Sequence, residues 1–137
     1  MTDAAAIAVG DFLAAWEHPQ LEEFLRFFSE DAVFEDGARQ RQCHGIDAIK
    51  AELEEQMTFG SVVIRVNALV SDGRTVMVER VDRFDFGGKP LAVAVVGVFE
   101  VDASGRISRW REYYDLKSVS EQLEATEKTV PGGPASL

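Results

Sequence analysis

Apolar positions recur along this chain at two periods, and the change falls near Gly60. Before it the spacing is helical. Ile7, Val9, Phe12, Leu13 and Trp16 predict one apolar stripe. His18-Pro19 breaks that helix and starts another, with proline at a tolerated first-turn position. There Leu21, Phe24, Leu25 and Phe28 keep the i, i+3, i+4, i+7 rhythm. Residues 31–36 predict a short strand ending in the turn-like Asp36-Gly37. After His44-Gly45, a third helix carries Ile46, Ile49, Leu53 and Met57 on one side.

Beyond Gly60 the pattern turns to strands over 61–70, 75–86, 89–101 and 106–115. Ser71-Asp72-Gly73, Gly87-Gly88 and residues 102–105 read as tight hairpin connections. Ser118 caps a short final helix over 119–128, and the Pro/Gly/Ser-rich 131–137 reads as a loose tail. One domain over 1–130 remains. Helices followed by an antiparallel meander predict an α+β fold. Helices on one face of a strongly curved sheet would form a cone with a pocket inside. The run 91–101 is apolar on both parities, so its sheet needs a second cover. A second copy of the chain is the simplest source, which predicts a homodimer through the sheet face opposite the helices.

One face of the run 75–86 interrupts this apolar pattern. Its even positions are Val76, Val78, Arg80, Asp82, Phe84 and Phe86. A solvated face would not be oily at both ends. Buried charges must be paired and hydrogen-bonded, so the pattern predicts a polar cluster on the floor of an apolar pocket. Trp110, Glu112 and Tyr114 share a face of 106–115, whereas Arg109 and Arg111 mark the solvent side. If both marked faces meet, Asp82 and Glu112 flank Arg80, whose planar fork can hold two carboxylates. One carboxyl group could then be protonated while the other stays ionised. The remaining expected lining is Phe34, Met57, Phe84, Val93, Val95, Trp110 and Tyr114, which suits an apolar ligand with one or two polar groups.

Composition narrows the class. The chain has 137 residues, 46% hydrophobic and 28% charged, as expected of one soluble globular domain. A formal net charge of −10 opposes binding to nucleic acid and to anionic membrane surfaces. No apolar stretch is long enough to span a bilayer. The acidic start Met1-Thr2-Asp3 lacks signal-peptide order, which predicts a cytoplasmic protein. The single Cys43 excludes an internal disulfide. It reads as a small buried or half-buried thiol, His44 as a loop or helix-start residue, and Glu52-Glu54-Glu55 as a solvated helix face. No phosphate loop, G-x-S-x-G elbow or metal motif is present.

Four segments carry a resemblance. They are Glu79-Arg80-Val81-Asp82, Gly97-Val98-Phe99, Gly105-Arg106-Ile107 and Trp110-Arg111-Glu112-Tyr113-Tyr114-Asp115. With the order of elements over about 5–120, they resemble the limonene-1,2-epoxide hydrolases of the NTF2-like/SnoaL-like superfamily. The resemblance implies the NTF2-like cone and a cofactor-free, one-step opening of a small lipophilic epoxide by water. Asp82 would protonate the epoxide oxygen and Arg80 would bridge the two acids. Glu112 stands where the family has an aspartate as general base. Phe34 and Asp36 stand where it has a water-holding tyrosine and asparagine. Asp36 could accept a hydrogen bond from water or replace Glu112 as base. The same fold supports two alternatives. One is a ketosteroid-isomerase-like or polyketide-cyclase-like enzyme, with Asp36 or Asp82 moving a proton beside a carbonyl. The other is a non-catalytic ligand-binding or dimerisation domain.

Overall fold

The computed structural model describes residues 3–128; the tail expected to be loose, 131–137, lies outside the described residues. Helix α1 (Ala4–Ala14) begins where Asp3 Oδ1 accepts the Ala6 amide at 3.0 Å, satisfying one of the donors that a first turn leaves open. A 3₁₀ turn, Ala15–Glu17, prolongs it. Its buried stripe is Ala5, Val9, Phe12, Leu13 and Trp16. Ile7 was expected in that stripe but is exposed, because residues two apart on a helix do not share a face.

Helix α2 spans Leu21–Arg26 with Gln20 at its N-cap, so Pro19 precedes the helix instead of opening it. Phe28 follows the helical rhythm yet begins strand β1 (Phe28–Asp36). Its pairing with Ile107, far along the chain, takes the chain out of the helix at that point. A short strand that the pattern did not predict, β2 (Arg41–His44), folds back antiparallel on β1 and precedes α3 (Ile46–Gln56). Then come β3 (Val63–Ser71), β4 (Thr75–Phe86), β5 (Lys89–Val101), β6 (Ile107–Tyr114) and α4 (Leu116–Lys128). Asp115, not Ser118, caps α4, with its Oδ1 accepting the Lys117 amide at 3.0 Å. Between β4 and β5, Gly87 and Gly88 take φ of +58° and +81°. A two-residue hairpin turn of this kind requires positive φ at both positions, which glycine adopts without strain.

Among the described residues the architecture is α+β, with four α-helices and one curved six-stranded sheet in the order β2-β1-β6-β5-β4-β3. The β1–β6 pair is parallel and the other neighbours are antiparallel. This makes the sheet mixed and sets β1 beside the end of the meander. Helix α1 packs across the inner face of the sheet. Phe12 sits at the centre of that layer, edge-on to Phe28 and Trp110 at 5.3 Å each and to Phe24 at 5.7 Å. The core thus lies between α1 and the inner face of the sheet. No helix among the described residues is long and apolar enough to cross a membrane.

Candidate active site

A cavity of about 400 Å³, within the range of small-molecule sites, borders the core at Phe12, Trp16, Phe34 and Trp110. The cavity meets the inner face of the sheet where β4 and β6 carry their charges. Arg80 and Asp82 are two residues apart on β4, on one face. Glu112 lies on β6, with β5 between. Arg80 reaches across β5 and holds both acids. Its Nε donates to Asp82 Oδ1 at 2.9 Å and Nη2 to Asp82 Oδ2 at 3.2 Å. Its Nη1 donates to Glu112 Oε2 at 3.0 Å, and Nη2 also donates to Glu112 Oε1. Each carboxylate therefore receives a two-pronged contact from one guanidinium.

Gly97 of β5 makes this crossing possible. It pairs with Glu112 on one side and Val78 on the other. A Cβ there would lie 2.6 Å from Arg80 Nη1 and 2.7 Å from Glu112 Oε2. The ion pair occupies the space that any side chain would need.

Burial sets the electrostatics. Arg80 is 3% exposed and Glu112 8%. Burial pushes the Glu112 carboxyl above its ordinary range, against the pull of Arg80. For Arg80 burial opposes the charge, but Glu112 and Asp82 outweigh it and hold the guanidinium ionised. Asp82 is more open to the cavity, its side chain 17% exposed. One guanidinium thus joins a buried carboxyl group to a more accessible one.

A second polar cluster faces the first. Asp36 ends β1 directly beside Glu112 in the parallel pairing. Its Oδ1 accepts the amides of Ala38 and Arg39 at 3.1 and 3.0 Å. Its Oδ2 accepts Arg39 Nε at 2.6 Å and the Tyr114 hydroxyl at 2.9 Å. Arg39 also donates from Nη2 to Glu52 at 3.2 Å. Burial, then the Asp36 hydrogen bond, push the Tyr114 hydroxyl up to about 12, so it remains a donor at neutral pH.

Of the apolar residues expected to line the pocket, Phe34, Phe84, Val93, Val95, Trp110 and Tyr114 do so. Met57 is absent from the lining and packs against the core from a 3₁₀ turn. Glu52 corrects the reading of a solvated run. Glu54 and Glu55 are exposed, but Glu52 is fully buried. Its spacing with Ile49 and Gln56 was the available signal, since residues three and four apart share a helix face. Arg39 and Gln56 also border the cavity and had no marker in the pattern. Cys43 is buried. His44 is exposed on β2, bonded to Gln42 and outside the cavity lining. Among the described residues no cluster of ligating side chains suits a metal ion.

The comparisons with known proteins bear on this geometry. The SnoaL-like domain family model matches residues 9–110. The epoxide hydrolase EphG of Mycobacterium tuberculosis is 31% identical over 118 residues, covering 85% of this chain and 76% of the relative. Among solved structures, an M. tuberculosis LEH-like epoxide hydrolase matches with a TM-score of 0.77 and 28% identity, covering 92% of this chain and 96% of that one. A protein of ketosteroid isomerase-like fold from Catenulispora acidiphila matches with a TM-score of 0.74, covering 84% of this chain and 90% of that one. At 22% identity, that last match speaks to the fold alone.

Proposed function

The chain belongs to the SnoaL-like domain family, and we propose that it opens a small lipophilic epoxide by direct attack of water, without a cofactor. The observation that carries this reading is the Asp82–Arg80–Glu112 bridge on the cavity floor. The EphG relative supports the same reaction class. In the proposed step, Glu112 removes a proton from water as the water oxygen bonds to an epoxide carbon. The carbon–oxygen bond of the ring breaks, and Asp82 delivers a proton to the departing oxygen. One proton is taken up and one released, so the pair needs no net proton to complete the reaction. Arg80 keeps its charge throughout and holds both carboxyl groups in place. Burial raises the proton affinity of Glu112, which makes it a stronger base than an ordinary carboxylate.

Of the two candidate bases, Glu112 is favoured. All four acceptor positions of the Asp36 carboxylate are already engaged by Ala38, Arg39 and Tyr114. The same engagement weighs against a ketosteroid-isomerase-like reaction based on Asp36. A panel of lipophilic epoxides and enolisable ketones tests the choice. Diol formation from an epoxide supports the proposal; deuterium exchange beside a carbonyl with no diol selects the isomerase reading. Binding of panel compounds with neither reaction would leave only a ligand-binding domain.

The proposal extends to a homodimer through the outer sheet face. Val70, Met77, Val96 and Tyr113 are exposed there, across neighbouring strands. Isolated exposed apolar residues are ordinary, whereas a contiguous patch marks a contact surface. The proposed setting is the cytoplasm, in keeping with the unpaired Cys43.

A further inference from the structure

A base needs a water held in place, and the groups around Glu112 limit what can hold it. Phe34 contributes only a ring, packed 4.2 Å from Trp110 between centroids. Asp36 lies beside Glu112 but has no free acceptor position. Its Oδ1 is occupied by two backbone amides and its Oδ2 by Arg39 and Tyr114. Tyr114 differs from both. Its single proton is committed to Asp36 at 2.9 Å. A hydroxyl that donates its proton keeps its oxygen lone pairs as acceptors, and Arg39, which also hydrogen-bonds the Tyr114 side chain, takes one of them and leaves the other. The Asp36 bond also stops the hydroxyl from rotating, so the direction of those lone pairs is fixed.

Position favours the same atom. Tyr114 follows Glu112 by two residues on β6, so both side chains leave the strand on the same face. Both line the cavity. We propose that Tyr114 Oη, with its proton committed to Asp36, is the second acceptor that holds the attacking water against Glu112. This rests on the proposed hydrolase reading with Glu112 as base. The water donates one hydrogen to the Glu112 carboxylate and the other to Tyr114 Oη, which leaves a lone pair of its oxygen for the epoxide carbon. Tyr114 touches the reacting water but gains and loses no proton. Asp36 is a positioning residue that acts through Tyr114.

The test removes one atom. Tyr114→Phe keeps the ring and deletes the oxygen. The expected result is a fall in kcat of about a hundredfold, the scale on which a misplaced reactant slows a reaction. KM should change little, since the lost contact is to water and not to substrate. The acid limb of the pH profile should stay where it is, because Glu112 is untouched. A second measurement does not depend on turnover. High-resolution crystal structures should show an ordered water within hydrogen-bond reach of both Tyr114 Oη and Glu112 in the parent, and none there in Tyr114→Phe. Parental kcat in the variant, a change confined to KM, or a parent structure without that water would each overturn the proposal. A parent that opens no epoxide would sink the hydrolase reading, and the crystallographic water would still decide the role of Tyr114.

Discussion

Replacing Gly97 by alanine puts a methyl group under the Arg80–Glu112 ion pair. The backbone does not resist the change, since Gly97 is not among the glycines with positive φ. Alanine should even stabilise an ordinary strand position, because glycine there carries extra conformational entropy. The cost comes from space alone. The new Cβ would lie 2.6 Å from Arg80 Nη1, 2.7 Å from Glu112 Oε2 and 2.9 Å from Phe99 Cε1. Ordinary contact begins near 3.4 Å, so the guanidinium and the carboxylate must each retreat by about 0.7–0.8 Å. Arg80 is buried and held at both ends, which leaves it little freedom to give way. Overpacking of this kind costs about 1–3 kcal/mol. A displacement approaching 1 Å in a catalytic group can cost about a hundredfold in rate. Gly97→Ala should therefore unfold at lower denaturant concentration and lose about a hundredfold in kcat on any epoxide that the parent opens. Chemical denaturation and steady-state kinetics on the purified variant measure both. Parental stability together with parental kcat would refute the crossing of β5 as the support of the site.

Further outcomes follow from the same geometry. Arg80→Ala leaves two carboxylates without their shared partner and should cost about 3–5 kcal/mol in denaturation experiments, the scale for a broken buried pair; a variant melting like the parent would contradict it. Asp82→Asn should keep the fold and ligand binding but abolish turnover, since an amide matches the shape and cannot deliver the proton; Glu112→Gln should likewise abolish turnover, whereas Glu112→Asp should keep or raise it. The acid limb of kcat/KM should have its midpoint above the ordinary glutamate value of 4.5, because burial raises the Glu112 carboxyl and protonation removes the base as pH falls; a midpoint at or below 4.5 would remove Glu112 from that role.

Much of this arrangement was legible in local pattern. The two-residue period of 75–86, broken at Arg80 and Asp82, marked a buried charge cluster. The same period on 106–115 aligned Glu112 with it. Cross-strand neighbours in a meander follow from short hairpins, so these faces met as expected. Features that depend on distant pairing were not legible. Phe28 fits the stripe of α2, and only its partner Ile107, far along the chain, makes it a strand residue. The four residues of β2 are mostly polar and too few to show a period. Glu52 was hidden by its acidic neighbours, although its buried carboxylate closes the cluster on Arg39. The bond between Tyr114 and Asp36 spans 78 residues and exists because β1 runs parallel to β6. No local rhythm encodes that adjacency.

Direct attack of water is the central claim, and a single turnover in heavy-oxygen water tests it most directly. Enzyme in excess over a reactive epoxide is mixed in labelled water, and the diol is analysed by mass spectrometry after one cycle. The account predicts one solvent-derived heavy oxygen in the diol from that first turnover, with no label appearing in the protein. Unlabelled diol in the first turnover, with heavy oxygen entering Asp82, Glu112 or Asp36, would show a covalent ester intermediate and contradict it.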